Sequence, residues 1–175
     1  MLLPMRRTEF GLLWHSQAHA PPEALEQQIA YLRSLSPGLG DHSNHSTGQS
    51  GSEEQSDLES PDELAMRDLL VGAMLVAMHS HDEARAALTH AEQAPVRDDT
   101  WVAPFAAFQL GIVDCRDADE LASRGERAKA RDKLAEAGKR VGVVFDKQDY
   151  LFKSRLESRV NMLRDEIATR RASLA

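Results

Sequence analysis

The side chain best suited to nucleophilic chemistry is the single cysteine, Cys115, which stands between Asp114 and Arg116. Both neighbours can move a thiol pKa, but a cysteine at the end of a helix reads first as a small buried filler. One cysteine also leaves no internal disulfide and no multi-cysteine zinc site. The seven histidines are scattered. His79-Ser80-His81 falls at a helix–helix turn, His42 and His45 lie in a Ser-rich tract, and His15 and His19 sit at the end of a short apolar segment. None stands in a frame with Cys or carboxylate partners that would hold a metal. The acidic pairs Asp98-Asp99 and Asp117/Asp119-Glu120 fall in connecting segments or at helix starts, where they favour the helix dipole. Gly38-Leu39-Gly40 has neither a strand before it nor Lys-Ser/Thr after it, so it is no phosphate loop. No catalytic residues, metal or cofactor are expected. The chain reads as non-enzymatic.

The elements that would position any such residues are helices. The 175 residues suffice for one domain. Hydrophobic residues make up 42% and aromatics only 5%, which describes a core of Leu, Ala, Val and Met. That composition disfavours a β-sandwich or barrel. The start of the chain is no secretory signal, because its charges follow its apolar residues. The longest nearly unbroken apolar run, 69–78, is about half of what crosses a bilayer. No transmembrane segment is expected.

Four regions separate by composition. Residues 5–35 hold two short apolar-periodic segments, Phe10 to Trp14 and a helix opening at Pro21-Pro22-Glu23 that carries Leu25, Ile29, Leu32 and Leu35. Residues 36–60 contain seven Ser and four Gly, too little apolar surface to offset ordering, and read as a disordered insert or linker. Its serines stand beside Glu53, Glu54, Asp57 and Glu59, so it is either a plain linker or a target for acidophilic kinases. Residues 61–170 form the main helical domain and 171–175 a tail. Within it, Ser60-Pro61-Asp62-Glu63 has the residues of a capping box and predicts a helix to about His79. Further helices are expected over 82–94, from Thr100 or Trp101 to about Cys115, over 121–140 and over 147–170. The first of these five is apolar on most faces, as in a helix sandwiched between neighbours.

Self-similarity runs through this domain. Ala84, Leu88 and Ala91 recur as Ala130, Leu134 and Ala137. Gly72 precedes Ala84 by twelve residues, with Leu75 following it on the same helix. That offset resembles a tetratricopeptide repeat, in which a small residue lets two helices approach and a Leu fills the groove. Asp68 occupies the position where that family has Trp. In a second copy Gly111 takes the place of Gly72, nineteen residues before Ala130, which implies seven extra residues around 114–126. The expected architecture is all-α: tetratricopeptide-like stacked hairpins, an α-solenoid fragment closed by a long C-terminal helix. The Lys and Asn with which some such arrays clamp a peptide carboxylate would fall at Leu69, Ala73, Phe108 and Ile112, all apolar, so docking of a chaperone tail is disfavoured.

The order of segments carries a sharper resemblance. Trp101-Val102-Ala103-Pro104-Phe105-Ala106-Ala107-Phe108-Gln109-Leu110-Gly111 and Asp149-Tyr150-Leu151-Phe152-Lys153-Ser154-Arg155-Leu156 resemble the C-terminal end of the fungal inclusion-body clearance protein and its animal tetratricopeptide-repeat relatives. Phe108 and Gln109 depart from that family's Tyr and Glu. The resemblance implies a fragment or reduced relative, with the apolar 69–78 helix meant to pack on helices this chain lacks. It further implies clearance of misfolded-protein inclusions with lipid-droplet proteins, in the cytoplasm and the nucleus.

Charge gives the second reading. The formal net charge is −7, yet residues 124–175 hold 14 Lys or Arg against 8 Asp or Glu, a net of +6. Binding to other proteins is the first expectation, with Arg155, Arg159 and Arg164 supplying electrostatic preference. Binding of nucleic acid or an anionic membrane through the basic C-terminal helix is the alternative. Nucleic acid is disfavoured, since the cations are interleaved with acids.

Overall fold

Ser60 starts the most apolar helix with both halves of a capping box. Its hydroxyl accepts from the Glu63 backbone N–H at 3.1 Å, and the Glu63 carboxylate accepts from the Ser60 N–H at 3.3 Å. Pro61 occupies the first turn, where its missing N–H costs nothing. The computed structural model describes residues 16–35, 60–146 and 150–174. After a 3-10 turn, Ser16–His19, come six helices: α1 Pro22–Ser34, α2 Pro61–Ala77, α3 His81–Gln93, α4 Val102–Ser123, α5 Arg127–Asp146 and α6 Lys153–Ser173. There is no strand among the described residues. The chain is all-α. The Ser/Gly-rich insert and the apolar segment at Phe10 to Trp14 lie outside the described residues, apart from Ser60.

Each of α2 to α5 packs on the next, α2 also meets α4, α4 meets α6, and α1 and the 3-10 turn pack on α2. Residues 65–75 are buried without interruption. The apolar helix therefore finds its neighbours within this chain, which replaces the expectation that it needs absent ones. From α1 it receives Leu25, Ile29 and Leu32, the buried stripe of an otherwise polar helix.

The turns explain where the sequence boundaries went astray. His79 (φ 61) ends the first hairpin's leading helix in the left-handed region, with His79 N–H on Val76 O (3.2 Å) and Ser80 N–H on Leu75 O (2.9 Å). Gly125 (φ 80) does the same after α4, with Gly125 N–H on Ala122 O (3.0 Å) and Glu126 N–H on Leu121 O (2.9 Å). Both are Schellman closures. So α4 runs to Ser123 rather than stopping near Cys115, and α5 begins after Gly125 rather than at Leu121. The charged stretch 116–123 stays helical because its acids have partners: Asp117 meets Arg85 and Asp119 meets Arg170. These acids lie inside a helix, not at a helix start or in a connection as expected. Phe152 (φ 66) is the residue before α6, which is why α6 starts at Lys153 and not at Lys147.

The equivalent bonds of the two turns are 46 residues apart, and so are Ala84/Ala130, Leu88/Leu134 and Ala91/Ala137. Carried back onto the leading helices, that step pairs Gly72 with Ala118, not with Gly111. Ala118 is buried and stands twelve residues before Ala130, so the supposed seven-residue stretch disappears. Gly111 has a different job. A Cβ there would collide with Val141 Cγ2, whereas one at Gly72 would lie 2.5 Å from Leu88 Cγ. Both glycines permit close helix approach, at different heights of the two hairpins.

Candidate docking site

The matched hairpins share a second feature, a buried aspartate. Asp68 and Asp114 are again 46 residues apart, and they are 6% and 1% exposed. A buried carboxylate must be paired or neutralised. Asp68 accepts from its neighbour Arg67 at 2.8 and 3.0 Å and pairs with His90 of α3. Arg67 is itself 2% exposed. Asp114 collects cations from both flanking helices: Arg85 of α3 at 2.8 Å, and Lys133 and Arg140 of α5 at 3.3 and 3.1 Å. Arg140 continues to Glu92 at 3.1 Å. Burial pulls the Arg85 guanidinium pKa down, but Asp114 and Asp117 outweigh it, and the net shift is upward. Asp68 thus ties α2 to α3 within the first hairpin, whereas Asp114 ties the second hairpin to the first.

The residues expected to make the hairpin contacts are placed as follows. Ala84, Ala91, Ala130 and Ala137 have no exposed surface, and Leu75, Leu88 and Leu134 are buried with them in one continuous core. Burying a Leu side chain stabilises by about 2 kcal/mol.

The three candidate partner-binding arginines are split. Arg155 and Arg164 are exposed on α6 and Arg159 is half-buried. The Arg159 guanidinium lies 4.8 Å above the Phe108 ring and that of Arg164 lies 5.4 Å from the Phe145 ring. Burial lowers the Arg159 pKa. These two cations are therefore in contact with aromatic faces of their own chain.

Arg159 also lines a cleft between α4 and α6 of about 300 Å³. Its α4 wall is Phe108, Ile112, Cys115 and Arg116, one face of the helix, and its α6 wall includes Arg159, Met162 and Leu163. The cleft exists because α6 presents only a narrow buried stripe, Leu156, Val160, Leu163 and Ile167. That stripe meets α5, where a Cβ on Gly138 would lie 3.8 Å from Ile167, and reaches α4 near Gly111. Met162 is left 72% exposed. At the far end Arg170 is held by Asp119 at 2.7 Å and by Glu166. Burial of this guanidinium opposes the effect of those carboxylates, which prevail and raise its pKa.

Cys115 forms part of the cleft floor but is 4% exposed, and burial pushes its thiol up to about 11, only partly countered by Arg170. It stays a thiol at neutral pH. Among the described residues no three His, Cys, Asp or Glu side chains group to take a metal ion. His79 and His81 are edge-to-face neighbours with ring centres 6.0 Å apart. His42, His45 and His15 lie outside the described residues. Asp98 and Asp99 do not face a site. Their backbone N–H groups, with that of Arg97, donate to Asp62 at 2.9 to 3.0 Å and fasten the α3–α4 connection to the start of α2.

Sequence reasoning named Ile112 and Arg116 only in other connections, the second as a neighbour of Cys115, and it missed Met162 altogether. The available signal was the helical spacing 108, 112, 115, 116, in which apolar residues adjoin one exposed arginine. No family model, no curated protein and no solved structure matches this chain. No helix among the described residues is long and apolar enough to cross a membrane.

Proposed function

We propose that this chain is a non-catalytic protein-interaction module: tetratricopeptide-like hairpins stacked side by side, closed by α6, holding a partner protein on their surface. The observation that carries the reading is the 46-residue recurrence of turn bonds, small packing residues and a buried aspartate in α2–α3 and α4–α5. Duplicated hairpins extend a surface by stacking, which suits docking better than the enclosure of a reaction. The buried, neutral Cys115 thiol supports the same reading.

The resemblance to the inclusion-body clearance family adds a setting, with lipid-droplet and inclusion components as partners in the cytoplasm and nucleus. It rests on the order of segments and on residues 101–111 and 149–156, with 8–14 and 22–25 resembling the family's preceding turn. Affinity capture with the whole chain from stressed cells should recover droplet or inclusion proteins. Recovery of other proteins only would remove that setting, and recovery of none would remove the docking role.

The second reading is an anionic surface, nucleic acid or membrane, on α6. It is favoured by six Lys or Arg against three Asp or Glu in 153–173. Binding to anionic vesicles or RNA that falls steeply with salt would support it.

A further inference from the structure

We propose that Ser173, in the last turn of α6, is phosphorylated by a serine kinase that reads basic residues, and that Arg127 at the start of α5 receives the phosphate. The inference goes beyond the docking role and does not depend on it. Arg170-Arg171-Ala172-Ser173-Leu174 sets arginines three and two positions before a serine and an apolar residue directly after it. No other serine or threonine of the chain has arginine at both of those positions. Kinases of this kind hold the substrate extended, with acidic pockets for the paired guanidinium groups and an apolar pocket for the residue that follows. An α-helix turns these side chains to different sides, so the motif is readable only where the helix can open.

The end of α6 meets that condition. Arg171, Ala172 and Ser173 are exposed and Leu174 is half-buried. Terminal turns open at little cost. Arg170 resists through Asp119 at 2.7 Å and Glu166, but both carboxylates are half-exposed, which keeps such pairs weak. Ser158, with Arg155 three residues before it, is the contrasting case. It lies mid-helix with its hydroxyl on Ser154 O at 3.2 Å, two residues from fully buried Leu156. In the transfer Ser173 Oγ attacks the γ-phosphorus of ATP. The Oγ–P bond forms as the bond to the β-phosphate oxygen breaks, ADP leaves and the hydroxyl proton passes to the kinase's base. The Ser173 hydroxyl now donates to Arg170 O at 2.8 Å. A phosphate dianion has no proton to donate, and it would face the carbonyl end of α6, an unfavourable place for negative charge. Arg127 compensates. Its guanidinium already donates to the Ser173 carbonyl at 3.4 Å and makes no ion pair among the described residues. The adjacent Glu126 carboxylate is taken up by Lys129.

The test incubates the folded whole chain with ATP and the catalytic subunit of a cyclic-AMP-dependent kinase, and in parallel with an acidophilic kinase. We expect the first to add one phosphate, which fragmentation of the intact chain in the mass spectrometer places on Ser173. Ser173→Ala should remove it, and Arg171→Ala, at an exposed position, should slow it about tenfold. ³¹P NMR of the phosphorylated chain against pH then reads Arg127. The second ionisation of the phosphate should lie about half a pH unit below that of the phosphorylated Arg127→Ala variant, because a neighbouring guanidinium favours the dianion. Failure to label Ser173 in the folded chain, labelling there only after denaturation, or an Arg171→Ala rate equal to the parent's overturns the site. So does equal labelling of Ser173 by the acidophilic kinase. Equal ionisation midpoints overturn the pairing with Arg127.

Discussion

Three glycines in helices of the same fold should respond oppositely to a single methyl group. At Gly72 the added carbon would meet Leu88 Cγ at 2.5 Å and the Leu88 backbone N at 3.3 Å, and at Gly111 it would press on buried Val141. Gly72→Ala and Gly111→Ala should each destabilise by about 1–3 kcal/mol, overpacking outweighing the better helix propensity of Ala. At Gly142 nothing lies within 4 Å, so Gly142→Ala should stabilise by about 1 kcal/mol. Urea unfolding of the three variants checks the signs; Gly72→Ala as stable as the parent would mean that α2 and α3 do not cross there. Asp62 adds a pH dependence. The backbone N–H of Asp99 holds its carboxylate below the ordinary 3.8 against the opposing effect of burial, with further help from those of Asp98 and Arg97. A depressed carboxylate contributes stability above its unfolded pKa and loses it as pH falls through the lower folded value. Asp62→Asn should therefore flatten the fall of Tm below about pH 4, and an unchanged acid limb would contradict the assignment.

Among the elements, the α3–α4–α5 junction turns on Asp114. Removing its charge would leave Arg85, Lys133 and Arg140 close together with no buried counter-ion. Asp114→Asn should cost about 3–5 kcal/mol, the cost typical of breaking a buried pair from one side. A loss under about 1 kcal/mol by denaturant titration would show that solvent screens the cluster. Helix existence was legible in the sequence because caps and breakers are local: Ser60 to Glu63, Pro22 and the apolar periodicities each speak for themselves. The ends of α4 and α5 were not, because the charged stretch 116–123 looks like a connection until Arg85 and Arg170 are known to pair with it. Gly125 marked the true break. Its neighbour in the matched turn is His79, whose left-handed conformation no composition rule announces. The second repeat was read in the wrong register for a related reason. A glycine was sought opposite Ala130, while the fold uses Ala118 there and spends Gly111 on Val141.

For the whole molecule, turn bonds and buried packing residues of the two hairpins recur 46 residues apart, and α6 packs on the second with a polar outer face. Its stripe of four buried apolar residues covers α5 and touches α4, and the incomplete cover leaves the cleft. That cleft was only half legible. Arg159 could be named from the basic helix, but its position over Phe108 needed the spatial meeting of α4 and α6. The most direct measurement places a photo-cross-linking side chain at position 162 in the cleft lip and, separately, at exposed position 131 on α5. In cell extract we expect a protein adduct at 162 and no such adduct at 131. Equal adducts at both positions, or none with protein at 162, would contradict a stacked-hairpin platform that docks partners beside its closing helix.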